Sequence, residues 1–137
     1  LSELNGYAIY NSEQGDCFHC HGTLLFTDNL FHNNGLDSDE PFLDIGLSEL
    51  TNNPLDNGKF KTPSLRNIEY SAPYMHDGRF ATLEEVVTHY NEGGHYSSTV
   101  DPLMKKIGTG LQLTIQELSD LVAFLKTLSD EDFISEE

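Results

Sequence analysis

The sequence has 137 residues, a length that fits one domain able to bury a hydrophobic core. Its formal net charge of −16 at pH 7 argues against nucleic acid as a partner, because carboxylates and phosphates would repel each other. No window approaches the length of about 18 apolar residues that suggests a transmembrane helix, so we expect no membrane span.

The first predicted helix covers about residues 2–12 and ends in the polar run that follows. Gly6 lies within it and is a position where another helix can approach closely. The apolar face that we predict for this helix consists of Leu4, Tyr7, Ala8 and Ile9.

The run Cys17-Phe18-His19-Cys20-His21 has the spacing of a covalent c-type haem attachment site. Cys17 and Cys20 can each form a thioether to a haem vinyl group, and His21 can bind the iron as its fifth ligand. A thioredoxin-like redox pair would need a βαβ pattern that is not visible. A zinc site is a further alternative, but the spacing matches neither a finger nor a ribbon. We therefore predict one covalent haem c.

Two features bear on where the protein is located. The chain begins at Leu1 with no initiator methionine and no signal-peptide pattern, so we expect a processed product or an excised piece. Because c-type haem is attached outside the bacterial cytoplasm, the motif predicts a periplasmic or otherwise exported protein.

The middle of the chain, residues 22–62, is rich in Gly, Asn, Asp and Pro and has little sustained periodicity. Such a long irregular stretch is unusual unless something organises it, and a haem offers an apolar face that it can wrap. A short helix is predicted over Pro63–Ile68, because Pro suits the first helical position. A turn is predicted from Asp101 through Ile107.

Two later helices are predicted over about residues 83–91 and 115–128. Each begins with a capping box, formed by Thr82 with Glu85 and by Thr114 with Glu117. Their apolar stripes consist of Leu83, Val86, Val87 and Tyr90 in the first, and of Leu118, Leu121, Val122, Leu125 and Leu128 in the second.

The order of these elements predicts the fold. A first helix, the CxxCH motif, a long loop and an amphipathic last helix follow one another as in a class I cytochrome c. We therefore expect one mostly α-helical domain over residues 1–137, with long haem-wrapping loops. Its first and last helices should cross, with Phe124 and Leu125 facing the first helix.

Three segments behind the CxxCH motif resemble one family. KTPSLRNI over Lys61–Ile68, APYMHDGRF over Ala72–Phe80 and TLEEVV over Thr82–Val87 are similar to the C-terminal haem domain of bacterial dihaem cytochrome c peroxidases and MauG-type proteins. The resemblance implies an electron-relay domain with two partners, an N-terminal peroxidatic haem domain and a small redox donor protein. Only one CxxCH is present, so peroxidase activity is not assigned to these residues alone.

The sixth iron ligand has several candidates, which are Met75, Tyr90, Met104 and His76. On ligand chemistry alone a methionine is the default for an electron-transfer haem, and Met75 lies in a Pro-containing loop. The resemblance favours Tyr90, which lies fourteen residues after His76, where MauG-type relatives have an iron-binding tyrosine. We favour Tyr90 with Met75 as the alternative, and an open sixth position stays a further one.

Other residues receive weaker assignments. Lys61 and Arg66 are candidates to pair with haem propionates, because buried carboxylates need a partner. The resemblance implies that His76 lies near the haem and the domain interface. It also implies that the carbonyls of Ser71 and Pro73 contribute to a calcium site that another domain completes. The histidines expected to be variable or surface residues are His19, His32, His89 and His95.

Two other functions fit the same sequence. A free-standing monohaem cytochrome would carry electrons between larger enzymes. A haem-based sensor or catalyst would keep the sixth position open.

Overall fold

The computed structural model describes residues 1–22, 24–40 and 44–135. The α-helices of these ranges are α1 (Ser2–Tyr10), α2 (Phe18–His21), α3 (Ser48–Thr51), α4 (Leu83–Glu92), α5 (Ile115–Lys126) and α6 (Glu131–Ile134). Two 3-10 helices span Pro54–Asp56 and Ile68–Tyr70, and the strands β1 (Phe31–His32) and β2 (Phe60–Lys61) pair antiparallel. None of the helices in these ranges combines the length and the apolar character needed to cross a membrane.

Helices α1 and α5 pack directly against each other, and Gly6 makes this close approach feasible. A Cβ atom at residue 6 would collide with the backbone carbonyl of Asp120 and would lie 2.7 Å from Cβ of Phe124. Glycine inside a helix normally costs about 0.5–1 kcal/mol relative to alanine. Here the missing side chain admits the neighbouring backbone, so the expected close approach at Gly6 is confirmed.

The buried face of α1 differs from the predicted one. Leu4 and Ala8 are exposed, so the prediction was wrong for these two residues. Tyr7 is also more than half exposed, but its ring packs edge-on against Phe124 of α5, with centroids 5.4 Å apart. The residues that α1 buries are Gly6, Ile9 and Tyr10. Apolar residues lie around much of this short helix, so their spacing did not define one face. The contact at Gly6 determines which side meets α5.

The starts of α4 and α5 were predicted correctly, because both capping boxes form. Thr82 and Thr114 accept hydrogen bonds from the backbone of Glu85 and Glu117, whose side chains bond back to the capping residues. Helix α5 packs against both α1 and α4. The buried core cluster consists of Ile9, Tyr10, Tyr74, Leu83, Val87, Leu113, Leu121, Val122, Phe124 and Leu125.

The predicted helix over Pro63–Ile68 does not form, and the 3-10 helix begins at Ile68 instead. Ser64 Oγ accepts a hydrogen bond from the backbone N–H of Arg66, at 3.2 Å. Asn67 then takes a left-handed conformation with φ 57°. This local side-chain bonding competes with helix formation.

The turn predicted to begin at Asp101 is confirmed. The Asp101 carboxylate accepts from the backbone N–H of Leu103 at 2.8 Å, and its carbonyl accepts from Met104 at 2.8 Å. The fold therefore has a helical core, long loops and a small sheet that was not predicted. Its assignment to the class I cytochromes stays a prediction.

The helix contact can be tested with two variants of α1. We expect Gly6→Ala to lower the free energy of unfolding by about 1–3 kcal/mol, because a well-packed interface must open to admit the methyl group. Leu4→Ala is the matched control and should change it by less than about 0.5 kcal/mol, since Leu4 is 68% exposed. Urea unfolding followed by circular dichroism measures both. A larger loss for Leu4→Ala would restore the original prediction of the buried face.

Candidate haem site

The CxxCH motif forms the short helix α2 and the residue before it. Burial raises the pKa of Cys17 to about 12, with a further contribution from Asp16. Burial raises the pKa of Cys20 to about 11, with Asp28 and Asp101 adding to the effect. Both sulfurs are therefore thiols at neutral pH, unlike the activated thiolate of a redox pair. This environment fits thioether attachment better than disulfide exchange.

His21 is held in the tautomer that a metal ligand needs. Its Nδ1 lies 2.7 Å from the carbonyl oxygen of Phe26. A carbonyl can only accept, so Nδ1 carries the proton and Nε2 keeps its lone pair for iron. Burial lowers the pKa of His21, which also favours the neutral ring. The bond to a backbone carbonyl is the usual outer contact of a metal-binding histidine.

Tyr10 connects His21 to the helical core, and the sequence analysis did not single it out. Its hydroxyl donates to the backbone carbonyl of His21 at 2.8 Å. The ring is almost fully buried and packs on Phe124 of α5, with centroids 5.0 Å apart. The contact between α1 and α5 thus extends to the haem motif through one hydrogen bond.

The two favoured candidates for sixth ligand converge on one amide. Asn34 Nδ2 donates to Tyr90 Oη at 3.0 Å and lies 3.6 Å from Met75 Sδ. Burial raises the pKa of Tyr90 to about 12, with the Asn34 bond acting in the opposite direction. Cys17 and Cys20 also contribute to this shift, so the phenol lies within electrostatic range of the haem motif.

The other two candidates have different surroundings. The His76 ring stacks on Phe60, with centroids 3.6 Å apart and an interplanar angle of 7°. Its Nε2 lies 3.8 Å from Asp44 Oδ2. Met104 lies in the turn that begins at Asp101. Neither shares the contact with Asn34 that Tyr90 and Met75 have.

Lys61 and Arg66 are exposed. Among the described residues, neither forms an ion pair with a carboxylate. Arg66 Nη2 lies 3.4 Å from the Leu24 carbonyl, close to the haem motif. Ser71 and Pro73 are also exposed.

Three further residues have contacts that the sequence analysis missed. His89 was predicted to be at the surface but is buried, and burial lowers its pKa. His32 was also predicted there, yet it lies between Asp28 and Asp101. Arg79 binds the carboxylates of Asp37 and Asp77 and holds the loop after His76. The partners of His32 and Arg79 include residues far away in sequence, and no local pattern indicates them.

Comparison with known proteins identifies relatives that are longer than this chain, and the chain matches only part of each. No protein-family model matches this chain. Cytochrome-c peroxidase IdrP1 of Pseudomonas sp. (strain SCT) is 36% identical over 93% of this chain and 40% of the relative. The methylamine utilization protein MauG of Methylorubrum extorquens is 38% identical over 92% of this chain and 34% of the relative.

A solved structure is also similar. The crystal structure of a MauG-like protein associated with microbial copper homeostasis aligns with a TM-score of 0.88 and 42% identity. The alignment covers 98% of this chain and 49% of that one. The chain thus spans about 40% of the first curated relative and about half of this structure.

The link between Tyr10 and His21 can be tested by removing one oxygen atom. We expect Tyr10→Phe to lower the free energy of unfolding by about 0.5–1.5 kcal/mol, because the partly buried His21 carbonyl loses its donor. Tyr7→Phe is the matched control, since the Tyr7 side chain is more than half exposed. Urea unfolding of the haem-loaded chain measures both. Equal stability of the two variants would show that the hydrogen bond to His21 contributes nothing.

Proposed function

We propose that this chain is an electron-relay haem domain. The premise is that the chain is a homologue of the dihaem cytochrome c peroxidase and MauG proteins. A haem bound at Cys17, Cys20 and His21 would supply a one-electron couple. The homology implies a haem-containing domain of the peroxidase family. The relay role, the single haem and the place of this domain in a larger protein are our inferences.

Two side-chain arrangements carry the proposal, one around His21 and the other around Asn34. His21 presents Nε2, and its orientation is held by Phe26 and Tyr10. Tyr90 and Met75 both contact the Asn34 amide. If His21 and either Tyr90 or Met75 bound the iron, no coordination site would be left for peroxide. A closed iron is suited to outer-sphere transfer, in which the protein orients the group and limits water access.

Tyr90 is our choice for the sixth ligand, with Met75 as the alternative. The Asn34 amide is a donor, and a donor stabilises an anionic phenolate oxygen more than a weakly accepting thioether. Its distance is also shorter to Tyr90 Oη, 3.0 Å, than to Met75 Sδ, 3.6 Å. A tyrosinate would favour ferric iron and a low reduction potential.

The remaining parts of the proposal concern what lies around this domain. Lys61 and Arg66 are assigned to haem propionates because neither is neutralised by a described carboxylate. We assign the Ser71 and Pro73 carbonyls to calcium that an N-terminal peroxidatic domain would help to bind. His76 is assigned to that interface. We further infer that the protein is exported to the periplasm and takes electrons from a small redox protein.

The sixth ligand can be identified with two single variants. We expect Tyr90→Phe to change the ferric absorption spectrum, including its charge-transfer region, because the phenolate oxygen would be lost. Met75→Ala should leave that spectrum nearly unchanged. The opposite pattern would assign the thioether of Met75 as the ligand.

Relay activity can be tested with the haem-loaded chain and a small, positively charged redox protein. We expect fast reduction by this donor in stopped-flow measurements and no sustained consumption of peroxide. The reduction rate should fall as salt is added, because the chain has a net charge of −16 and salt screens the attraction. Peroxide turnover by the chain alone would instead indicate a catalyst with an open iron. A rate that is flat or rises with salt would contradict electrostatic steering by the acidic surface.

A further inference from the structure

The side chain of His32 lies between two carboxylates and is largely shielded from solvent. Its Nδ1 lies 2.6 Å from Asp101 Oδ2, and its Nε2 lies 2.7 Å from Asp28 Oδ2. The side chain is 14% exposed, and those of Asp28 and Asp101 are 18% and 16% exposed. An ionised carboxylate only accepts hydrogen bonds, so both ring nitrogens must carry hydrogen. This geometry therefore holds an imidazolium.

The two carboxylates connect the His32 ring to the haem motif. The backbone N–H of Asp28 donates to the Cys20 carbonyl at 2.9 Å. Two residues earlier, the Phe26 carbonyl accepts the proton of His21 Nδ1. The ligand-type atoms of Cys20, Asp28 and His32 all lie within 4.8 Å of one another. Asp101 belongs to a turn far away in sequence, so the ring joins that turn to the segment that orients His21.

We propose that His32, as an imidazolium clamped between Asp28 and Asp101, is a proton-linked positioning residue that couples the reduction potential of the haem to pH. The inference rests on the proposed attachment of haem at Cys17 and Cys20. The inference adds a proton site to the electron-relay function. His32 would take up H⁺ when an external one-electron donor reduces the iron, and it would release H⁺ when the iron is oxidised again.

We call the two hydrogen bonds that hold His32 between Asp28 and Asp101 the clamp. Loss of the proton from His32 would break one of them. A neutral imidazole has one N–H and can donate to only one of the two carboxylates, so the other would face a ring lone pair. The clamp would then change from one net negative charge to two. Additional negative charge near the haem stabilises ferric iron and lowers its reduction potential. By linkage, reduction of the iron strengthens the binding of this proton by the same factor.

The groups that face His32 agree on the direction of its titration. Burial alone would lower the pKa of His32, but the carboxylates of Asp101 and Asp28 outweigh it and raise that pKa. From α2, neither Cys20, as a haem thioether, nor the neutral ring of His21 would bring a charge. Phe60, which is opposite His32 in β2, brings no charge. The clamp is therefore complete below the unfolded pKa of about 6.5 and is lost as pH rises through the raised folded pKa.

The test is a redox titration of the haem-loaded chain at a series of pH values from about 5 to about 9, which bracket a raised histidine pKa. We expect the potential to fall through one transition whose midpoint lies above about 6.5. Its size should be about a tenfold change in the equilibrium constant for reduction, the effect of one charge roughly 10 Å away at an effective dielectric constant of about 20. A pH-independent potential would overturn the proposal.

Variants separate this role from a purely structural one. His32→Gln should remove the transition, because an amide does not titrate, and Asp101→Asn should move its midpoint to lower pH. His95→Gln is the matched control, since His95 is exposed, and it should behave like the wild type. A transition that persists unchanged in both His32→Gln and Asp101→Asn would assign the proton to another group. If His32→Gln does not fold, the midpoint shift in Asp101→Asn still decides.

Failure of this inference can be told from failure of the proposed function in the same samples. Covalent haem attachment and reduction by the small donor protein report on the proposed function, whereas the pH dependence of the potential reports on His32. A chain that carries haem and accepts electrons, but has a pH-independent potential, would reject the His32 inference alone.

Discussion

A histidine can bind iron through Nε2 only when its other ring nitrogen holds the proton, and one hydrogen bond imposes this condition on His21. Nδ1 lies 2.7 Å from the Phe26 carbonyl. Two further residues, Tyr10 and Gly6, help to position the backbone of His21. Tyr10 holds the backbone of His21 from the buried side of α1, and Gly6 lets α1 approach α5 closely enough for Tyr10 to be buried. The helical core is therefore directly connected to the orientation of the axial ligand.

The two residues that we favour as the sixth ligand meet at Asn34, and the three come from segments that are distant in sequence. Asn34 comes from the long loop, Met75 from the loop after the 3-10 helix, and Tyr90 from the last turn of α4. Their contacts join the long loop, the loop after the 3-10 helix and α4 at one point. It also places an amide donor beside the group that we propose to bind iron. The Asn34 amide would therefore both hold Tyr90 in place and stabilise the negative charge on its oxygen.

Local patterns predicted part of this structure, and contacts distant in sequence account for most of the rest. The capping boxes at Thr82 and Thr114 gave correct helix starts, because each involves residues only three positions apart. The buried face of α1 was wrong, since its apolar residues surround the helix and Gly6 alone identifies the contact side. The burial of His32 depends on Asp101, 69 residues away. No local periodicity predicts such a pairing.

We propose that His21 and Tyr90 of this domain would both bind the iron of a covalently attached haem. Electron paramagnetic resonance of the ferric, haem-loaded chain tests this claim most directly, because spin state reports axial coordination. Because two protein ligands would bind the iron, we expect a low-spin signal with no appreciable high-spin component at neutral pH. A dominant high-spin signal would mean that one position is open or weakly filled, and it would contradict assignment of the domain as an electron relay.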